Sequence, residues 1–424
     1  MINEDFLHFI WKFQLFNFLE LKGTLGQAIR IKKSGLHNLN AGPDFLNAQV
    51  YIDEILWCGH VEIHVKSSDW YAHNHHKDAN YDTVVLHVVF TNDKPLVRSD
   101  GQVIPTLVLK DKIPDKYLNR YDALYHSIAN IPCAYALPTL SEEFWEAYAD
   151  RLIVERLEDK MASIHTLFVE ANSDYQETFY QLLAYALGLK INALQMLDLA
   201  KSCPLKLLKK QSDKRELVEA LLYGQAGLLA RKFKDQEVLN WQKHHQFYQK
   251  KYLLEPINAN NWKFFRLRPA SFPTLRISLL ADFVVQEKDI FEQIINFVSV
   301  KDVRACLDLK GSNYWNYHYV FDKKVARHNC SIGKSTVDQL LINAALPFAF
   351  FYARKKGDEE KMQRILNAYR DIKAEDNRVI KMYKESKVPV KTALMSQALI
   401  HLNRHYCIER KCLNCRVANK ILKD

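Results

Sequence analysis

The chain has 424 residues, of which 48% are hydrophobic and 12% aromatic; this excludes a disordered protein and is more material than one ordinary core holds. Its net charge of +10 is uneven: residues 1–130 carry 13 Lys/Arg against 15 Asp/Glu, and residues 131–424 carry 46 against 34. The basic surplus therefore lies wholly in the second part, where it suits a polyanion such as nucleic acid and equally a solvated basic surface.

In chain order, the start Met1-Ile2-Asn3-Glu4-Asp5 is acidic where a secretory leader is basic, so a cytoplasmic protein is expected. Residues 5–19 space Phe6, Phe9, Ile10, Phe13 and Phe16 as a helix does. Alternation then predicts strands at Gln27–Lys33, Leu46–Ile52, His60–Lys66, Thr83–Phe90 and Ile104–Lys110, separated by turn residues such as Asn40-Ala41-Gly42-Pro43, Asp53-Glu54, Asn92-Asp93 and Asp100-Gly101. Near Ile131-Pro132 the pattern changes. Ser141-Glu142-Glu143 caps a long helix running to about Glu170. Helical spacing continues through Tyr175–Leu189, Asn192–Ser202, Lys214–Leu229, Gln236–Tyr252, Leu275–Val298, Ser335–Lys356, Glu359–Tyr369 and Lys391–Cys407. The longest apolar run, Leu340 to Ala353, contains Asn343 and Pro347 and falls short of the roughly 20 residues a bilayer requires, so no membrane association is expected. The reading is α+β: a mixed-sheet domain with a leading helix over 1–130, then an all-α domain over 131–424. No repeat period is found, and the sequence carries no sign of the oligomeric state.

The densest chemistry lies between Gly42 and His87. In Gly59-His60-Val61-Glu62-Ile63-His64-Val65-Lys66 the strand period puts Val61, Ile63 and Val65 on one face and Glu62, His64 and Lys66 on the other. Asp44 stands eighteen residues before Glu62. Two acids on adjacent strands can hold a divalent ion that polarises a phosphoryl oxygen, while His64 or Lys66 orients water or neutralises charge. A polar, solvent-facing hairpin is the alternative. Pro43-Asp44 followed by Glu62-Ile63-His64 resembles the PD-(D/E)XK nuclease superfamily over at most residues 1–115. The resemblance implies a restriction-endonuclease-like fold and magnesium- or manganese-dependent cleavage of DNA or RNA. Asp44 and Glu62 would be the metal ligands and His64 would stand where that family has lysine, with Lys66 one strand repeat on. A catalytically silent nucleic-acid or protein-binding module on the same scaffold is the other reading. Gly42-Pro43-Asp44-Phe45, Val61-Glu62-Ile63-His64, Glu219-Ala220-Leu221-Leu222-Tyr223-Gly224-Gln225-Ala226-Gly227 and Arg266-Leu267-Arg268-Pro269 together resemble an uncharacterised bacterial family, domain of unknown function 2851, which implies no activity.

Six of sixteen histidines fall between His60 and His87. His73-x-His75-His76-x-Asp78 occupies a loop after Trp70, from which His73 and His76 are expected to join Glu62, His64 and His87 around a metal, making a His-rich hydrolase of another class a variant reading. Cys407-x4-Cys412-x2-Cys415 is a possible structural zinc site, with His401, His405 or Cys330 as a fourth ligand; an iron–sulfur site would need a further thiolate from elsewhere in the fold. Arg266, Arg268 and Arg276, beside Phe264 and Phe265, are candidate nucleic-acid contacts, with core packing as the alternative. Gly224-Gln225-Ala226-Gly227 reads as a close helix contact, and neither it nor Gly333-Lys334-Ser335-Thr336 has the spacing of a phosphate loop.

Overall fold

In the computed structural model, which describes residues 2–98, 101–286 and 290–424, the chain forms two compact units. One comprises Met1–Trp145, Met382–Val388 and His401–Asp424; the other comprises Glu146–Lys381 and Pro389–Ile400. The fold is α+β: a leading helix, a mixed six-stranded sheet, then a large and mostly helical region.

Asn3 opens the first helix, α1 (Glu4–Phe13), by accepting the Phe6 N–H at 3.0 Å, and Glu4 and Asp5 complement the positive end of the helix dipole. Phe6, Leu7, Phe9, Ile10 and Trp11 are all buried. The helix ends at Phe13, six residues before its expected end. Gln14 turns into the left-handed region at φ 52°, and the Asn17 N–H is drawn away to the Lys112 carbonyl at 2.8 Å.

The sheet contains β1 (Ile29–Lys33), β2 (Leu36–His37), β3 (Phe45–Ile52), β4 (Ile55–Lys66), β5 (Val84–Thr91) and β6 (Thr106–Val108). Its order is β1-β3-β4-β5-β6, with β2 also paired to β3. The first pairings, up to β3 with β4, are antiparallel; β4 with β5 and β5 with β6 are parallel. Asp53 and Glu54, both at positive φ, form the two-residue turn joining β3 to β4, a geometry whose twist matches that of the strands. Val61, Glu62, Ile63 and His64 are all buried, so both faces of β4 are covered. Asp100, one of the expected turn residues, lies outside the described residues.

The second unit is helical, with helices including Tyr175–Leu187, Ala193–Ser202, Arg215–Gln225, Gln236–Tyr252 and Pro273–Val285. The expected helix Leu275–Val298 is found as Pro273–Val285 and Ile290–Ile295; residues 287–289 between them lie outside the described residues. Gly224 lets two helices touch: a Cβ there would stand 1.9 Å from the His245 ring. The aromatic run at Tyr314 and Trp315 is core, packed with Tyr223, Trp241 and Phe321. The stretch Lys334–Lys356 is long and apolar enough to cross a membrane, but 72% of its most apolar part is buried inside the fold, as in a core helix.

Candidate metal centre

Because β4 and β5 are parallel, the chain between them cannot turn back as a hairpin and must cross over. That crossover carries the histidines. Asp93 fastens its start, accepting from Ser67 Oγ at 3.0 Å, the Ser68 N–H at 2.9 Å and Ser68 Oγ at 2.8 Å. The Ser68 side-chain and backbone hydrogen bonds lead in holding the Asp93 carboxyl below the usual carboxylate range. The helix α2 (Asp69–Ala72) follows, with Trp70 buried beneath it among Val84, Leu96 and Ile104. Asn74 then takes a left-handed conformation at φ 62°, a region that asparagine tolerates well, and reverses the chain into the tight turn His75–Lys77.

The result is a close set of three imidazoles, with Glu62 beside two of them. His64 Nε2 lies 3.1 Å from His73 Nδ1 and 3.7 Å from Glu62 Oε1, and His75 Nε2 lies 3.2 Å from the same carboxylate oxygen. The ligand atoms of His64, His73 and His75 all fall within 4.8 Å of one another. These are hydrogen-bonding distances, and the three imidazoles are close enough together that one ion could be held between them. Behind the set, His64 Nδ1 meets His87 Nε2 at 2.8 Å, the outer contact that fixes the tautomer and ring angle of a ligating histidine. The β4–β5 register pairs Glu62 with His87, placing both on one face. Trp70 packs edge-on against His75 and His87, and Tyr81 stacks on His75 at 3.8 Å. His64 and His87 are buried, His75 is half-buried and His73 is exposed, so the set opens to solvent on the His73 side.

The electrostatics favour uncharged imidazoles. Burial first, then the charges of His75, His73 and His8, push His64 down to about 3. Burial, helped by His64 and His75, pushes His87 well below its ordinary value. Both are therefore neutral near pH 7, the state in which imidazole binds a metal. Burial raises Glu62, opposed by its hydrogen bond to His75 and reinforced by the negative charge of Asp44. Burial and the nearby charges of Glu62 and Asp44 push Tyr81 up to about 12.

Asp44 stands beside the set. Its Oδ2 accepts the Ile63 N–H at 2.9 Å and pairs with His8 Nε2 at 3.1 Å, while Glu62 Oε2 accepts the Asp44 N–H at 3.1 Å. Burial opposes charge on His8, but the hydrogen bond and charge of Asp44 outweigh it, and the His8 pKa is raised. His37 lies edge-on to His8 at 5.4 Å and is pushed down by burial, then by His8 and Lys12.

Of the residues expected here, Asp44, Glu62, His64, His73 and His87 come together. His76 does not: the turn after Asn74 sends its ring to Tyr71, 5.1 Å away, and His75 takes the place beside Glu62. Lys66 does not either; it lies exposed at the end of β4, where its backbone N–H bonds Asp69. His8 went unread, although it is the polar residue within the apolar run Phe6–Trp11, a signal present in the sequence. Of the arginines, Arg266 and Arg268 are exposed, but Arg276 is 5% exposed on a core helix, where burial lowers it to about 10, so it is closed to a polyanion. Cys407 and Cys415 are buried and Cys412 is half-buried. Cys330, an expected fourth ligand for them, packs against Gly311 in the second unit.

A family model described as a protein of unknown function, DUF2851, matches residues 4–378. The chain belongs to the DUF2851 family. The match takes in every residue of the histidine set and ends before the C-terminal cysteines. No curated protein and no solved structure matches the chain, and none of these comparisons ties it to the PD-(D/E)XK nucleases.

Proposed function

We propose that this protein is a metal-dependent hydrolase of phosphodiester bonds acting on DNA or RNA. The supporting observation is the grouping of His64, His73 and His75 within 4.8 Å of one another, with Glu62 beside His64 and His75, Asp44 alongside and an opening to solvent at His73. A donor set dominated by imidazole suits manganese better than magnesium, which prefers oxygen. Hydrolysis would call for an ion that binds water as well as these side chains, which four protein ligands would deny to zinc. When bound, such an ion polarises the phosphoryl group and acidifies its water.

The surrounding side chains have separate tasks. Glu62, His64, His73 and His75 hold the ion, and His87 fixes the His64 ring from behind. Asp44, already paired with His8, accepts a proton from the attacking water, and the His8 imidazolium offsets charge building on the phosphate. The basic surplus after residue 130 suits a polyanionic substrate.

The exposed position of Lys66 favours a second reading, a hydrolase of another ester or amide class, because the ammonium expected to neutralise a phosphodiester lies in solvent. The test is cleavage of single- and double-stranded DNA and RNA with manganese, magnesium or zinc, set beside simple carboxylic and phosphate esters. Manganese-dependent cleavage of nucleic acid, lost in Glu62→Gln and kept in Lys66→Ala, is expected. Turnover of the small esters alone selects the second reading, and no turnover of any of them overturns both.

A further inference from the structure

Five of the eight cysteines lie in the first unit, the exposed Cys58 and four others. Cys407 closes the turn Asn403–Cys407, Cys412 opens the turn Cys412–Asn414, and the Cys415 N–H bonds the Cys412 carbonyl at 3.0 Å at the start of the last helix, Arg416–Lys423. That helix packs against α3 (Asp115–Tyr125): Arg120 Nη1 donates to the Leu422 carbonyl at 3.3 Å. Lys423 Nζ sits 3.1 Å from the centre of the Phe13 ring of α1. The fourth cysteine, Cys133, follows α3 in the chain. Its thiol feels the charges of Cys415, Cys407 and Cys412, and Cys407 in turn feels Cys415 and Cys412. Tyr383, fully buried, brings its hydroxyl to 3.5 Å from Cys407 Sγ and feels Cys407, Cys133 and Cys415.

Thus three cysteines close in sequence and one about 270 residues earlier lie in the same unit, near enough to feel one another's charge. Cys133, Cys407 and Cys415 are buried and Cys412 is half-buried, whereas a reactive cysteine is exposed.

We infer that Cys133, Cys407, Cys412 and Cys415 are the four thiolate ligands of one metal centre, zinc or an iron–sulfur cluster, that ties the C-terminal segment to the first unit. An all-thiolate set of four is the donor chemistry of both. Among the described residues no three of these sulfurs stand within 4.8 Å of one another. The centre is independent of the histidine site, and its metal is counted separately.

The test uses the full-length chain purified without oxygen, with zinc, iron and acid-labile sulfide measured per chain. Iron with matching sulfide and a visible absorption band bleached by dithionite identifies the cluster; one zinc without sulfide identifies the single ion; either supports the thiolate centre. Cys133→Ser should lose most of that metal, while Cys58→Ser and His73→Ala keep it. Alkylation supplies a readout that needs no variant: the four thiols should be protected until a chelator is added, while exposed Cys58 reacts throughout. Metal fully retained in Cys133→Ser, four thiols that react without chelator, or a disulfide among them would overturn the proposal.

Discussion

Asp44 and Glu62 hold each other through the main chain. Glu62 Oε2 accepts the Asp44 N–H at 3.1 Å, and Asp44 Oδ2 accepts the N–H of Ile63, the residue after Glu62, at 2.9 Å. Each carboxylate thereby satisfies a backbone donor beside the other, and both are oriented before any ligand arrives. Burial raises Glu62, and the negative charge of the half-buried Asp44 adds to that, so a cation or proton beside the two acids is favoured. The imidazoles of His64, His73 and His75 complete that wall with nitrogen donors.

Metal binding is accordingly expected to stabilise the fold. A ligand present at a hundred times its Kd adds about 2.7 kcal/mol. Manganese should raise the melting temperature of the wild type and of Lys66→Ala, and should fail to do so in Glu62→Gln and His73→Ala. Thermal melts with and without manganese check this. An equal rise in Glu62→Gln would place the ion elsewhere.

The pH dependence of the metal-free protein follows from the depressed histidines. His64 stays neutral in the folded state down to about 3, whereas in the unfolded chain it takes up a proton near pH ~6.5. Between those values the unfolded state binds more protons, so stability falls as pH drops below about 6.5. His87 adds in the same sense. His8 and Glu62, both raised, act oppositely: their contributions are fully present below their unfolded values and are lost as pH rises through their folded ones. The two deeper shifts win, and melting temperature should drop from pH 7 to pH 5, with a smaller drop in His64→Gln. A flat or rising profile towards pH 5 would contradict the assignment of neutral histidines.

The acids and the strand that carries them were legible because the strand period is local: Glu62 and His64 share a face whatever the rest of the chain does. Which loop histidine reaches them was not legible. That choice depends on the left-handed turn at Asn74, which puts His75 beside Glu62 and His76 beside Tyr71, and no spacing rule fixes the exit angle of so short a helix as α2. Lys66 illustrates the opposite failure. The period gave its side correctly, but the depth of burial changes along β4, and the last residue of the strand is already in solvent. His8 and Cys133 are contributed across long sequence separations, which periodicity does not carry.

Gly224 supplies a test of the second unit alone. Any side chain there meets the His245 ring, since even a Cβ would lie 1.9 Å from it, and the neighbouring Tyr223 and Gln225 are fully buried, leaving little room to shift. Gly224→Ala gains helix propensity of about 1 kcal/mol, but overpacking a filled interface costs ~1–3 kcal/mol. Net destabilisation is expected in urea unfolding, and pairing it with His245→Ala should recover most of the loss. Stabilisation by Gly224→Ala on its own would mean that the two helices separate at small cost.

The arginines separate a nucleic-acid surface from a merely basic one. Arg266 and Arg268 are exposed, with the Arg266 guanidinium 5.2 Å from the ring centre of the exposed Phe265. An arginine on a phosphate releases counterions, and each lost contact lowers the slope of log affinity against log salt by about 0.7 on single strands and 0.9 on duplex. If nucleic acid lies on this face, Arg266→Ala with Arg268→Ala should weaken binding and reduce that slope by roughly 1.4–1.8 in all. Phe265→Ala should weaken single-strand binding with no change of slope, since stacking releases no counterions. Arg276→Met should leave the slope untouched, because its side chain is closed inside the helix packing. Titrations of labelled oligonucleotides across salt concentrations read all three. An unchanged slope in the double arginine variant would remove this face as the nucleic-acid surface and leave its arginines as ordinary solvated charge.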